Sequence, residues 1–427
     1  MSSQNPLRVA VLGAGTVGGS VVRAFLEHPE RLAPSDGRPL ILAAVAEKDR
    51  ARARALGIPD DILTDDAAHL VADPGIDAVV ELMGGDEPAR TLAAAALEAG
   101  KAVVTANKHM VAHHGPELEA IARRAGVPLR FEAAVGGGIP VLSPIAADMA
   151  ANAVRRVRGI VNGTTNFILT AMGEGGRSYD DVLAEAQARG YAEADPRGDV
   201  EGDDAVNKLV LLARLAFGTW LEPASVPCAP PSARGWGRPG ITGVTSEEMA
   251  GAYYLGFDLK LLAAVEASAD GRLAAAVVPT AVPQASPLGG TDGVLNRIEV
   301  RAEPVGDVAF AGPGAGGDAT SSAVLGDLLA IARGGGSTWA GLAPAGGTPV
   351  RADADAPFAG TRSWFAYLPG VAAEGVRRDT VGDGAALEEV LGGTAVRTGL
   401  LTLEAARAAI APLLAGGVDA TLYPVTD

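Results

Sequence analysis

A mixed α/β chain that begins with a parallel sheet follows from three features of the sequence. The apolar run Leu7–Leu12 ends in a glycine turn and opens into Val17, Val21, Val22 and Phe25 at helical spacing. Short β-rich runs recur at 40–46, 77–82, 102–105 and 128–135, with helical stretches such as PARTLAAAALEAG and GPELEAIARRAG between them. Alternation of this kind buries a parallel sheet under helices on both faces. From about residue 140 the pattern changes, and a second core is expected.

In that second part, VRRVRGIVNGTTNFILTAM and FDLKLLAAVEAS read as strands and helices of an α+β domain. The stretch FAGPGAGGDATSSAVLGDLLAIAR gives another glycine turn and a helix over 320–333. The Gly-, Ala- and Pro-rich run that follows reads as a loose linker. Beyond it RSWFAYL, GAALEEVLGG, TAVRTGLL, LEAARAAIAPLLAGG and VDATLYPV alternate as a small ferredoxin-like α/β module, with the second and fourth as helices. The expected division is 1–135 with 309–333 returning to it, 136–308, a linker at 334–360, and a module at 361–427.

Composition bounds the function. At 427 residues, two or three domains are expected. A hydrophobic fraction of 48% with 20% charged residues excludes a disordered chain. A net charge of -16 argues against a broad nucleic-acid surface, which needs clustered Lys and Arg. The one cysteine, Cys228, allows no internal disulfide and suits a reducing compartment. MSSQNPLRVAVLGAG lacks the apolar core of a signal peptide, and no run reaches the roughly 20 apolar residues of a membrane span. A cytoplasmic protein is expected.

The first turn, GAGTVG, places Gly13, Gly15 and Gly18 around Thr16 and Val17 between a strand and a helix. The first glycine permits the turn, the second lets a pyrophosphate approach the backbone, and the third lets helix and strand pack closely. The helix N-terminus offers free N–H groups to the anion. A Rossmann-type dinucleotide domain is therefore expected. After the second strand, Glu47 or Asp49 suits a ribose 2′-hydroxyl and NAD, whereas Lys48 or Arg50 suits a 2′-phosphate and NADP. The sequence leaves both open.

Further on, Asp204 and Lys208 are spaced i, i+4 on one face of an apolar helix. Burial lowers a lysine's pKa and carboxylates raise it, so such a lysine can be set to exchange protons near neutral pH. Taken alone, the pair reads more plainly as a helix salt bridge. His109, His113 and Glu117, with His114 beside them, have a spacing that can hold a transition metal. No further Cys or His lies nearby, and a solvated helix face is the expected reading.

Taken together, GAGTVG, VVELMGG, KAVVTANKHMVAHHG, FEAAVGGGIPVL, NGTTNFILTAM, GYAEADPRGDVEGDDAVNKLVLL and GPGAGGDATSSAVLGDL resemble homoserine dehydrogenases, in the family's order and over residues 9 to 333. The resemblance implies NAD(P)-dependent interconversion of L-homoserine and L-aspartate 4-semialdehyde, in threonine, methionine and isoleucine biosynthesis. It makes Lys208 the general acid and base, with Lys108 close to nicotinamide and substrate. Glu193, Asp204, Asp199, Gly163 and Thr164 would bind substrate, and Gly190 and Gly316 would join the first glycine turn on the cofactor. Glu132 and the carbonyls of Val135, Gly137 and Ile139 would hold a monovalent cation, Na⁺ or K⁺. The second domain would carry catalysis and a homodimer interface. Many members end in an ACT-type module; here PGV follows the first module strand but little else of that pattern does, so threonine inhibition is not carried over. A dehydrogenase of a related amino-acid aldehyde or oxo acid, or a non-catalytic NAD(P)-binding sensor, is the competing reading.

Overall fold

The chain's computed structural model describes residues 5–268, 271–339 and 341–426. Residues 1–4, part of the N-terminal reading above, and Ala340 of the linker lie outside them. Six short, largely apolar runs form the strands β1 (Leu7–Leu12), β2 (Leu40–Ala46), β3 (Leu63–Thr64), β4 (Ala78–Glu81), β5 (Ala102–Thr105) and β6 (Leu129–Arg130). They pair in parallel in the order β3-β2-β1-β4-β5-β6. Helices α1 (Thr16–Glu27), α2 (Arg50–Ala55), α3 (Ala67–Ala72), α4 (Ala89–Glu98) and α5 (Lys108–Ala125) connect them. The order turns back between β1 and β4, so the loops after β1, β4 and β5 open into one crevice at the strands' carboxyl ends.

The run 128–135 forms a strand over two residues only. After Arg130 the chain leaves the sheet because the buried Glu132 carboxylate collects the backbone N–H groups of Val141, Leu142 and Ser143 at 2.7, 2.8 and 2.7 Å. A carboxylate that receives several N–H groups fixes the backbone on both sides of it.

The second domain comprises β7 (Ala153–Ile160), α6 (Gly163–Gly175), α7 (Tyr179–Ala188), α8 (Arg197–Val200), α9 (Asp203–Phe217), the hairpin β8 (Pro231–Ser232) and β9 (Gly235–Trp236), α10 (Ser246–Tyr254), β10 (Phe257–Ala267), β11 (Leu273–Pro283), β12 (Leu295–Glu303) and β13 (Gly306–Pro313). Its antiparallel sheet runs β11-β10-β7-β12-β13. Residues 309–313 still belong to β13, so the chain crosses back only after Pro313, into α11 (Gly317–Ala332). There α11 lies on α1 so closely that a Cβ on Gly317 would meet the Thr16 carbonyl oxygen at 2.8 Å.

The stretch expected to be a loose linker is a strap held to both domains. Thr338 N–H donates to Leu129 O at 3.1 Å, and Val350 N–H to Trp220 O at 2.8 Å. Trp339 is buried against Phe131, with ring centroids 5.8 Å apart. The signal missed was a tryptophan among glycines, a side chain seldom left exposed in a linker.

The C-terminal module has β14 (Trp364–Pro369), β15 (Ala386–Val390), β16 (Gly393–Arg397), α12 (Leu403–Ile410) and β17 (Tyr423–Pro424), in an antiparallel sheet ordered β15-β16-β14-β17. That is the ferredoxin-like strand order with one α-helix in place of two. GAALEEV, read as a helix, is β15, so the module has four strands rather than the three the alternation implied. Five cross-strand pairs with β16 outweigh the helix propensity of its Ala, Leu and Glu residues.

The module sits on the second domain, with β17 beside β11 and β14, β15 and β16 against α10. Glu248 of α10 is buried at this junction. It accepts from Thr245 N–H at 2.9 Å and from the Tyr423 and Thr421 hydroxyls. Burial pushes its carboxyl up to about 6, against the pull of those hydrogen bonds. An unfolded Glu ionises near about 4.3. Between those two values the unfolded chain releases its proton first, so stability falls as pH rises through the window. Glu248→Gln removes that slope, worth roughly 2 kcal/mol. Denaturant midpoints of the two proteins at about pH 4.5 and 6.5 should diverge; parallel curves would refute the assignment.

Candidate active site

The glycine turn has the geometry its spacing predicts. Gly13 has φ +92°, which favours glycine, and its N–H donates to Ala46 O at 2.8 Å. Nothing lies within 4 Å of where a Cβ on Gly15 would stand, so a ligand can approach the backbone. A Cβ on Gly18 would lie 1.9 Å from Gly13 O. Thr16 and Val17 form the first turn of α1. The turn borders a cavity of about 730 Å³ that Glu47, Lys48, Leu82 and Met83 also line. Gly316, with φ +117°, caps α11 and brings Gly317 against Thr16, so the late glycine turn meets the first one. Gly190 follows α7, and its neighbour Tyr191 accepts the Thr164 hydroxyl at 2.7 Å, which sets it beside the start of α6.

From the glycine turn the crevice continues along the strand ends. Gly13 lies against Leu82 and Met83 after β4. Asn107, after β5, donates to Gly85 O at 2.7 Å and caps α5. Glu81 anchors both loops, accepting from Met83 N–H at 2.9 Å and from the Thr105 hydroxyl at 2.6 Å. Lys108 is the first residue of α5, 43% exposed, and its ammonium lies 3.1 Å from Asp204 Oδ1. Lys208 Nζ lies 2.7 Å from the other oxygen of the same carboxylate and donates to Val161 O, also at 2.7 Å. One buried carboxylate thus joins the two lysines across the boundary between the domains.

Local sequence explains the arrangement. Asp203 and Asp204 stand in the first turn of α9, where the helix dipole favours negative charge. Burial alone would raise the Asp204 carboxyl, but the Lys208 and Lys108 charges, with hydrogen bonds from Lys208 and Asn162, hold it well below the usual carboxylate range. Asp204 raises Lys108 in turn, against the opposing effect of burial, with smaller contributions from Asp199 and Glu193. Burial, followed by the Asp204 charge, pushes Asp199 up. An ammonium has three donors. Lys208 spends two on Asp204 and Val161, and the third has no partner among the described residues.

Sequence reading missed Asn162. Its amide nitrogen donates to Asp199 Oδ1 at 2.7 Å and to Asp204 Oδ2 at 2.8 Å, while its oxygen caps α6 through Thr165 N–H at 2.8 Å. The available signal was an Asn directly before Gly163 at a helix start. The Val161 carbonyl was also missed, since a backbone acceptor carries no side-chain signature. Gly163 opens α6, where a Cβ would meet Val294 O at 2.8 Å. Glu193 is exposed, and its electrostatic reach to Lys108 sets it at the rim.

The loop expected to hold a cation gives a mixed answer. The carbonyls of Val135, Gly137 and Ile139 are buried, and no hydrogen bond reaches them among the described residues. Buried carbonyl oxygens left over in this way fit a hard monovalent ion. Glu132 fits less well, because both its carboxylate oxygens already accept backbone N–H groups. The histidine face holds no metal cluster among the described residues. His114 pairs with Asp86 at 2.8 Å, Glu117 receives Arg90, and the His109 and His113 rings lie 4.3 Å apart.

Three turns along α5 from Lys108, α5 and α9 meet again. Glu119 of α5 receives two bonds from the fully buried Arg214 of α9, at 3.0 and 2.7 Å, with further bonds from Trp220 and Arg123 at 2.8 and 2.9 Å. Arg214 and Arg123 also donate to the strap carbonyls of Ala343 and Leu342, both at 2.9 Å.

Two family models match the chain: "Homoserine dehydrogenase, NAD binding domain" over residues 13–132 and "Homoserine dehydrogenase" over 140–329. The homoserine dehydrogenase of Mycobacterium tuberculosis is 45% identical over 334 residues, 77% of this chain and 73% of that protein. The crystal structure of a homoserine dehydrogenase from Thiobacillus denitrificans superposes with a TM-score of 0.84 at 34% identity, covering 99% of both chains. A hyperthermophilic archaeal homoserine dehydrogenase in complex with NADPH matches 76% of this chain and 97% of its own, with a TM-score of 0.62 at 26% identity.

Proposed function

The chain belongs to the homoserine dehydrogenase family, and from that premise we propose that Lys208 moves the proton in its reaction. The protein is an NAD(P)-dependent oxidoreductase acting on a CH–OH group, interconverting L-homoserine and L-aspartate 4-semialdehyde. The single observation that carries the proton-transfer reading is the one uncommitted donor of Lys208, held beside the crevice by Asp204 and Val161.

The bound nicotinamide supplies the hydride in reduction. As the aldehyde carbon accepts it, Lys208 gives its free proton to the aldehyde oxygen, so that charge does not build there. In oxidation the neutral amine takes the hydroxyl proton back. Asp204 fixes the direction of Lys208 and is itself fixed by Asn162. Lys108 lines the nicotinamide side of the same carboxylate. Asp199 and Glu193 grip the substrate ammonium, and the free N–H groups of Gly163 and Thr164 at the start of α6 receive its carboxylate. The Thr164 hydroxyl, already given to Tyr191, serves the loop instead. Gly13, Gly15, Thr16, Val17, Gly18 and Gly316 form the cofactor's binding wall, and Gly190 joins it from beside the start of α6.

The carbonyls of Val135, Gly137 and Ile139 would hold Na⁺ or K⁺, with Glu132 keeping the loop in shape. An ion there supplies positive charge that ties the loop to the neighbouring Gly314 backbone, against which Gly137 packs. A homodimer through the second domain and a place in threonine, methionine and isoleucine biosynthesis complete the reading. Two measurements test it. Purified protein should oxidise a reduced nicotinamide cofactor only when aspartate semialdehyde is added. Its thermal midpoint should be higher in NaCl or KCl than in tetramethylammonium chloride at equal ionic strength. Inert semialdehyde would end the substrate assignment, and identical midpoints would end the cation assignment.

A further inference from the structure

We infer that Glu47 selects NAD(H) over NADP(H). The inference rests on the cleft at the glycine turn being the cofactor site, and it settles a question the sequence leaves open. Four residues compete there, and the structure gives them different tasks. Asp49 is spent as the N-cap of α2, accepting from Ala51 and Arg52 N–H at 3.0 Å each. Arg50 is exposed and does not line the cavity. Lys48 and Glu47 both line it.

Glu47 is fixed in place. It directly follows β2, where an acidic side chain meets the adenosine ribose in dinucleotide-binding sheets. One carboxylate oxygen accepts Ala14 N–H, inside the glycine turn, at 2.8 Å, and the other accepts Asp49 N–H at 2.8 Å. Its side chain is only 10% exposed, so it cannot swing out of the way. A carboxylate there can accept a ribose 2′-hydroxyl proton. A 2′-phosphate would bring about two negative charges against it at short range.

The surrounding charges point the same way. Glu47, Asp65, Asp66 and Glu87 line the cavity against two cations, Lys48 and Arg52. Arg52 already faces both Glu47 and Asp49, at 3.9 Å each. Lys48 remains as a lone cation on the rim, too little to offset the carboxylates around a phosphate.

The test is direct binding, read by fluorescence of the reduced cofactors without any substrate. Wild type should bind NADH at least about tenfold more tightly than NADPH. Glu47→Gln keeps the shape and removes the charge, and the NADPH-to-NADH ratio of dissociation constants should fall by about tenfold. Glu47→Ser should move it in the same direction. Misfolding would weaken both cofactors together and leave the ratio where it was, so the ratio reports selectivity alone. Tighter NADPH binding by wild type, or a ratio unmoved in both variants, overturns the inference. A protein that shows this preference yet leaves aspartate semialdehyde unreduced would sink the substrate reading and spare this one.

Discussion

Lys208→Met lowers kcat for aspartate semialdehyde reduction by about 10²- to 10⁴-fold, the range a positioned acid–base group contributes, and leaves cofactor dissociation constants unchanged. Methionine matches the length of the lysine stem and removes the donor. The ammonium's neighbours, the Val161 carbonyl and Asp204, belong to the second domain, whereas the glycine turn belongs to the first. Cofactor binding therefore has no reason to change. Steady-state kinetics with a fluorescence titration of the reduced cofactor separate the two effects. Undiminished turnover in this variant would remove the proton-transfer role.

Asp204→Asn acts on both lysines together. The carboxylate bridges Lys108 at 3.1 Å and Lys208 at 2.7 Å, so neutralising it leaves two ammonium groups facing each other across an amide. Removing one partner of a buried ion pair costs about 3–5 kcal/mol, and the expected loss in kcat is about 10²-fold or more. A second signature separates this from simple destabilisation. Lys108 is held above its ordinary range chiefly by Asp204. Lys108 should therefore lose its proton at lower pH in the variant, a titration profile that NMR of the lysine ammonium reads. A variant with lower stability but an unshifted profile would show that Asp204 only supports the fold.

How much of this was legible in the chain depends on where the information lies. β1, β2 and β5 were readable because each apolar run meets a proline, a glycine, a charged residue or a terminal threonine at its ends. Residues 386–390 were not, since Ala, Leu and Glu favour a helix and the pairing that makes them a strand involves residues across the module. In the site, helical spacing shows Asp204 and Lys208 as a pair, but only the family resemblance of the surrounding segments marks them and Lys108 as site residues. Asn162 was not marked, because its two carboxylate partners lie 37 and 42 residues away. The hydrogen bonds of Glu132 were hidden for a related reason, since the backbone amides its carboxylate receives lie nine to eleven residues further along the chain.

The bond set around Glu119 has a mechanical consequence. α5 leaves the nucleotide domain's sheet and α9 lies in the other domain, so the two helices form the seam between the halves of the enzyme. They are stapled at the lysines and again three turns along α5, and the strap carbonyls are drawn into the second staple. A seam fastened twice resists both sliding and splaying. Any breathing that admits a dinucleotide must therefore pivot on this line, and the loop from Met83 to Asp86 travels with α5, to which Asn107 and His114 tie it.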